Sequence, residues 1–414
     1  QKYFLASYLE AYYYDHAPDY AVLNLAVLRN DQKVIQQLLL KPDALPRRER
    51  IHAAKQIGDL PKAQMLAHDA AKRRLADDAS EVYEKMGELM LLNADNFQFG
   101  EEHEQFGSLI GPRTFLRTKI FFTPKWSAGP YGIVWDARRS DTLTFSKRSY
   151  VQKLAGIMFT RQTERSNLDI DIGGRQNIYN NFYAGLVWDY RLTSRLTLDG
   201  VLNYNYLSYL NNFMQVAGTQ DSLRVGGSYQ YTLRDFFQLG FEYDRYHIQD
   251  RAYLGNGRLY YMGLTHKITL DYPDYHLDFF GSINQYTDAN TDLSGEVASI
   301  FLPGTIPNSA NIIPQNFWQV AFVFSVGRYL KDDYDEFGNF NSRYGGAYSH
   351  AWRPYLVVGP MYQSTAGPGP LLNLGLVGSV FGRDKLSFYY SYSTLNQGIA
   401  QTNSLIGLRY QMYL

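Results

Sequence analysis

The stretch Leu223-Arg224-Val225-Gly226-Gly227-Ser228-Tyr229-Gln230-Tyr231-Thr232-Leu233 decides the fold. Leu223, Val225, Tyr229, Tyr231 and Leu233 share one face, and Arg224, Gly226, Ser228, Gln230 and Thr232 share the other, the period of two that a β-strand imposes on its side chains. Past the turn at Arg234-Asp235 the pattern resumes, with Phe237, Leu239, Phe241 and Tyr243 opposing Gln238, Gly240, Glu242 and Asp244. Working outward, Tyr260, Met262, Leu264 and Ile268 alternate with Tyr261, Gly263, Thr265 and Lys267; Trp318, Val320, Phe322 and Phe324 alternate with Gln319, Ala321 and Ser325; Phe388, Tyr390 and Tyr392 alternate with Ser387, Tyr389 and Ser391. The same holds for Phe182–Leu192 and Leu196–Tyr206. So many long strands require a large sheet.

Two architectures alternate in this way, a soluble sandwich and a transmembrane barrel. Three features favour the barrel. Tyr and Trp recur near the ends of the apolar faces (Trp188, Tyr190, Tyr204, Tyr206, Trp318, Tyr390, Tyr392), as an aromatic girdle at a membrane interface requires. Short turns (193–195, 234–235, 273–274, 383–384) alternate with longer polar loops (211–220, 250–257, 331–344, 364–370), predicting short periplasmic turns and long external loops. The chain also ends inside a strand, Ile406, Leu408, Tyr410, Met412 and Leu414 sharing one face. That ending resembles the C-terminal signal of outer-membrane barrels, with Leu414 in place of the usual final aromatic.

Composition agrees with two unlike parts. Residues 1–112 hold 11 of the 65 aromatic residues and 5 of the 34 Gly, so the remainder carries nearly all of the strand-type composition. Apolar residues in the first part recur at three- and four-residue spacing (Ile51, Ala54; Ala63, Met65, Leu66, Ala70; Val82, Met86, Leu89), which predicts one-sided helices over 48–58, 60–75 and 79–92. Gly58-Asp59-Leu60-Pro61 breaks two of them, and small residues at Ala63, Ala67 and Ala70 suit close helix pairing of the tetratricopeptide (TPR) type. The expected division is TPR-like periplasmic helical hairpins over 1–95, a connector over 96–112 and a barrel over 113–414. At roughly 19 residues per strand and connection, the last part gives about sixteen antiparallel strands. Between Thr114 and Phe145 the pattern allows two strands or three, and Pro303, Pro307 and Pro314 demand a long irregular connection or an inward-folded loop over 296–316. A start at Gln1, without Met or signal peptide, reads as a fragment of a longer processed protein.

Forty basic residues balance 40 acidic ones, which argues against nucleic acid as partner. With no Cys there is no disulfide framework, thiolate metal site or cysteine nucleophile, and the eight His show no metal-binding spacing. No catalytic set can be assembled near a barrel rim, so neither enzyme activity nor cofactor is expected. No apolar run reaches the length of a transmembrane helix, a test that barrel strands escape.

Helical repeats leading into a C-terminal barrel of this size resemble the outer-membrane exporters of biofilm exopolysaccharides, the Pel, poly-N-acetylglucosamine and cellulose systems, and most of all the C-terminal region of the Pel exporters. The resemblance rests on architecture over the whole chain, not on a catalytic motif. It implies passage of a secreted polysaccharide through the barrel in the outer membrane, among its lipids. It further implies periplasmic repeats that recruit a polysaccharide-modifying enzyme, a PelC-like lipoprotein ring at the periplasmic mouth, and a partly deacetylated, cationic polymer. The alternatives are a general or nutrient-uptake porin, against which the helical prefix speaks, and an exporter of a different polysaccharide.

Hydroxyls, amides and Tyr edges on the inward phase (Asn203, Asn205, Ser228, Gln230, Asn284, Gln319, Tyr389) suit a sugar chain. A cationic polymer calls for carboxylates, and Asp169, Asp171, Asp199, Glu242, Asp244, Asp271 and Asp278 take that phase. Arg117, Lys119, Arg175, Arg191, Arg224, Lys267 and Arg409 share it, so acid–base pairing across a wet lumen is the competing expectation. The run Lys331-Asp332-Asp333-Tyr334-Asp335-Glu336-Phe337 adds four carboxylates among aromatics.

Overall fold

The computed structural model describes residues 18–29, 31–41, 45–57, 59–72, 89, 91, 94–139, 149–163, 165–193, 195–232, 234–269, 273–301, 304, 306–327, 351–382 and 384–414. Four helices precede the sheet: α1 (Asp19–Arg29), α2 (Gln32–Leu39), α3 (Arg47–Gln56) and α4 (Leu60–Lys72). Asp31 caps α2, its carboxylate accepting from Val34 N at 3.3 Å, and Asp59 caps α4 by accepting from Lys62 N at 3.2 Å. Both satisfy a backbone donor that a helix start leaves without a partner. Ala63, Ala67 and Ala70 pack with Ile51, Ala53, Ala54 and Ile57, so the small residues do lie in the seam between α3 and α4. Met65, expected on the apolar stripe, faces solvent. Val82 and Met86 lie outside the described residues.

Sixteen antiparallel strands close into a barrel in which every strand neighbours the next in sequence and the last pairs with the first. They are β1 (Asn96–Phe106), β2 (Leu109–Thr123), β3 (Trp126–Arg139), β4 (Ser149–Gln162), β5 (Ser166–Gln176), β6 (Asn180–Arg191), β7 (Leu196–Leu207), β8 (Gly218–Gln230), β9 (Asp235–Ile248), β10 (Tyr253–Lys267), β11 (Tyr275–Asp288), β12 (Phe317–Val326), β13 (Arg353–Gln363), β14 (Gly367–Gly378), β15 (Asp384–Asn396) and β16 (Ile399–Tyr413). Closure removes both sheet edges, so no strand edge is left to water or lipid.

The expected boundary is corrected here. Residues 96–112, read as a connector, are strand β1 and the start of β2, and β1 pairs with β16 from Asn96↔Tyr413 to Phe106↔Asn403. The outward phase of β1 is apolar only at Phe97 and Phe99 and then continues through exposed Glu101 and His103, which broke the pattern that marks the other strands. Two strands, β2 and β3, occupy 109–139; Thr142–Phe145 lies outside the described residues.

Outward faces are apolar as expected. Leu202, Val225, Leu239, Met262, Ile283, Phe322 and Ile406 are exposed along the wall, with Tyr204, Trp318 and Tyr362 towards one rim and Phe122, Tyr190 and Tyr231 towards the other. Trp318 and Tyr362 pack with ring centroids 5.3 Å apart. Small inward residues make room for aromatic rings. A side chain at Gly240 or Gly226 would run into Tyr261, one at Gly407 into Tyr389 and one at Gly375 into Tyr355, so these glycines are where tyrosine rings lie over the wall.

Antiparallel order fixes two rims. The chain-end rim carries Asn96, Tyr413 and the short turns at 192–195, 231–234 and 379–383; the far rim carries the connections 208–217 and 289–316. β12 ends and β13 begins at the chain-end rim, and of the segment between them Gly327, Ala351 and Trp352 are described. Its acidic run, including Asp332, Asp333, Asp335 and Glu336, lies outside the described residues, as does Asp271. Expected loops at 250–257 and 364–370 are largely strand, β10 starting at Tyr253 and β14 at Gly367.

Candidate functional site

The lumen is filled unevenly. At the far rim the connection 208–217 contains a short helix, α5 (Asn212–Ala217), and the connection 289–316 contains α6 (Gly295–Ala298). Both fold inwards. Phe213, Met214 and Val216 of α5 share a core with Leu293, Val297, Ile300 and Ile312 and with the wall residues Leu109, Trp135, Tyr246 and Ile248. The carbonyls at the end of α5 are bound by the wall: Arg175 donates to Gln215 O and Gly218 O, each at 2.8 Å, and Gln249 donates to Val216 O at 2.9 Å. A cation at a helix C-terminus meets free carbonyls and the negative end of the dipole. Asn211 ties α5 to the second connection by donating to Ile312 O at 2.6 Å.

A second block sits on the β2–β7 side. Asp171 on β5 accepts from Tyr131 Oη at 2.8 Å and Tyr206 Oη at 2.5 Å, and Tyr131 also hydrogen-bonds Tyr183. These rings pack with Phe115 and Ile133, and Tyr183 and Tyr206 meet edge-on. Asp169 and Asp171 both interact electrostatically with Arg117. The inward carboxylates expected here are present, and they are engaged by neighbours on the same wall.

A third group spans the closure of the barrel. Glu102 on β1 lies 3.7 Å from Arg113 on β2 and 3.5 Å from Arg409 on β16, and it also accepts from Tyr389. Glu104 adds a contact to Arg113 at 3.5 Å, and Arg409 lies over the rings of Phe115 and Tyr389. Sequence reasoning missed Glu102 and Glu104 because it placed them outside the barrel; the alternation of Gln98, Gly100 and Glu102 against Phe97, Phe99 and Glu101 was the available signal. On the next wall Arg224 stands directly opposite Glu242, and it interacts with Asp199 as well. Tyr246 donates to Asp244 at 3.2 Å, and Thr265 to Asp278 at 2.5 Å. His266, on the lipid-facing phase, lies at the rim and contacts Asp235 at 2.7 Å.

Towards the far rim lies a cavity of about 400 Å³, within the range of small-ligand sites. Asn284, Gln319, Gln363, Asn373, Ser391 and Asn403 line its long wall on β11–β16, and Asp244 and Tyr246 on β9 and Glu104 and Arg113 on β1 and β2 stand at the two ends of that arc. Of the sequence-expected carboxylates, Asp244 reaches this cavity, whereas Asp171 faces a separate space of about 30 Å³ beneath the tyrosine block.

The sequence model for the family described as "PelB, C-terminal beta barrel domain" matches residues 91–413. The chain belongs to this family. The PelB-type match begins just before β1 and ends at the last strand residue, so the family boundary and the barrel boundary coincide. No curated protein matches the sequence. Among solved structures, one described as a bacterial polysaccharide outer membrane secretin is similar at TM-score 0.50 and 12% identity, covering 78% of this chain and 99% of its own. At that identity the likeness concerns the fold. CdiB from Acinetobacter baumannii (TM-score 0.40, 10% identity, 77% of this chain and 60% of its own) and OpdK from Pseudomonas aeruginosa (0.39, 8%, 77% and 98%) are more distant.

Proposed function

We propose that the protein is a non-enzymatic channel of the outer membrane that exports a secreted polysaccharide of the Pel type, a partly deacetylated, cationic polymer. Membership of the PelB C-terminal barrel family is the observation that carries this reading. The lumen chemistry is compatible with it: amides and hydroxyls along the long wall of the cavity offer weak, exchangeable hydrogen bonds to sugar, and Glu104 and Asp244 at its two ends offer charge to an ammonium group. In this reading the chain-end rim faces the periplasm, where α1–α4 would dock a modifying enzyme and a PelC-like lipoprotein ring. The acidic residues Asp332, Asp333, Asp335 and Glu336 would add charge for the same polymer.

Of the carboxylates Asp169, Asp171, Asp199, Glu242, Asp244 and Asp278, Asp244 is the best candidate for polymer contact because it borders open space. The test is single-channel recording with a cationic hexosamine oligomer, a neutral oligosaccharide and a small aromatic acid, each added from the chain-end side. Blocking by the cationic oligomer, reduced in Glu104→Gln and Asp244→Asn, is the expected result. Blocking by the aromatic acid alone would favour an uptake porin.

A further inference from the structure

We propose that in the far-rim half of the lumen the permeation path runs off the barrel axis, along the inward face of β12–β14, and that Gln319 and Asn373 are its contacts to the passing chain. The proposal deepens the export reading and rests on it for the nature of the chain. Two independent features of the lumen converge on this path.

First, in the far-rim half both fillings lie on the other side, whereas a smaller cluster of Tyr355, Val377 and Tyr389 covers β13–β15 towards the chain-end rim. The tyrosine block belongs to β2–β7, and the inward-folded connections share their core with β2–β4, β9 and β10. Among the described residues the 400 Å³ cavity takes no lining from β3–β7, while each of β11–β16 contributes to it. Second, the walls differ in chemistry. Between Gln319 and Ser325 on β12, Tyr355 and Gln363 on β13, and Gly369 and Val377 on β14, the inward phase carries no Asp, Glu, Lys or Arg. To its two sides stand the ion pairs of Glu102, Arg113 and Arg409 on β1, β2 and β16 and the facing pair Arg224 and Glu242 on β8 and β9.

A polymer held by several buried charges would release slowly, because each contact of that kind is strong and must be broken at every step. Amide groups exchange partners at little cost. Gln363 donates to Gln319 at 2.9 Å across β12 and β13 and accepts from Gly398 N at 3.0 Å, so this buried amide fixes the orientation of the Gln319 amide on the cavity wall. The ligand chemistry that fits is a glycan recognised through hydroxyl and acetamido groups, with Glu104 and Asp244 at the two margins.

The chain has no Cys, so single cysteines report accessibility without background. Full-length variants with cysteine at Gln319, Asn373 and Ser391, and at Ile133 and Leu154 on the filled side, would be reconstituted in liposomes and treated with a water-soluble maleimide. Heat-modifiable migration on gels verifies that each variant is folded. The expected result is labelling several-fold faster at 319, 373 and 391 than at 133 and 154, with an N-acetylated chitin oligomer slowing labelling at the first three in high salt as in low. Equal or reversed rates overturn the off-axis path whatever the barrel carries. Preferential labelling with no slowing by the oligomer leaves the path standing and overturns its assignment to a glycan. Protection that disappears in high salt overturns recognition by uncharged groups.

Discussion

Glu102 and Arg409 lie 3.5 Å apart although 307 residues separate them, and the contact spans the seam where β1 closes on β16. Both side chains are buried, and Arg113 approaches the same carboxylate from the other neighbouring strand. One acidic group therefore links three consecutive strands of the closed sheet. Glu102→Gln removes the carboxylate that Arg113 and Arg409 share, leaving Glu104 to Arg113, and removing one member of a buried ion pair costs about 3–5 kcal/mol. The urea midpoint of the heat-modifiable form should fall accordingly. Glu101→Gln, on the outward phase of the same strand, should change it little.

The seam also sets the smallest barrel that folds. Asp95 accepts from Phe121 N with its carboxylate and from Leu414 N with its carbonyl, each at 2.7 Å, so it fastens both neighbours of β1. A chain of residues 94–414 should refold in detergent to a heat-modifiable species. A chain of residues 113–414 should not, because it lacks β1 and leaves two strand edges unpaired in an apolar medium. Gel mobility before and after boiling distinguishes the two outcomes.

Tyr206→Phe removes one hydroxyl from Asp171 and leaves Tyr131 in place. A hydrogen bond to a charged acceptor contributes about 1.5–3 kcal/mol, so stability should drop by an amount in that range. Asp171→Asn should cost less than the sum of Tyr131→Phe and Tyr206→Phe, since its amide oxygen still accepts. Denaturant titration of the refolded variants provides the comparison.

Arg175 holds two carbonyls at the end of α5 and a third at 3.2 Å. Arg175→Ala should loosen the inward-folded connection while leaving strand pairing intact, and channel recordings should show higher conductance with more frequent transitions than the parent protein. Deleting residues 212–217 should enlarge the effect. Unchanged conductance in both variants would mean that α5 does not obstruct the open lumen.

Orientation can be read with two introduced cysteines. Ser299 lies in the far-rim connection and Ala351 just before β13 at the chain-end rim, and both are exposed. With the chain-end rim towards the periplasm, a membrane-impermeant maleimide added to whole cells should label Ser299→Cys at once and Ala351→Cys only after the outer membrane is permeabilised.

The sequence by itself determined the barrel, because lipid outside and water inside force strict alternation wherever a strand crosses the membrane. Leu223–Leu233 and its successors therefore carry the fold locally, residue by residue. The same alternation placed Asp171, Glu242 and Gln319 on the inward phase, and the prolines at 303, 307 and 314 announced an irregular connection. Only the tertiary structure decided which strand closes the ring, since β1 turns polar outside at Glu101 and His103 and owes its place to pairing with a strand some 300 residues away. It also decided which inward residues meet open space. Asp171 and Asp244 have the same phase, yet one is covered by three tyrosine hydroxyl groups or their rings and the other borders the cavity. Phase is a property of the backbone and is written in the local sequence; vacancy depends on which distant side chains and loops fold into the same volume, and no period along the chain encodes that.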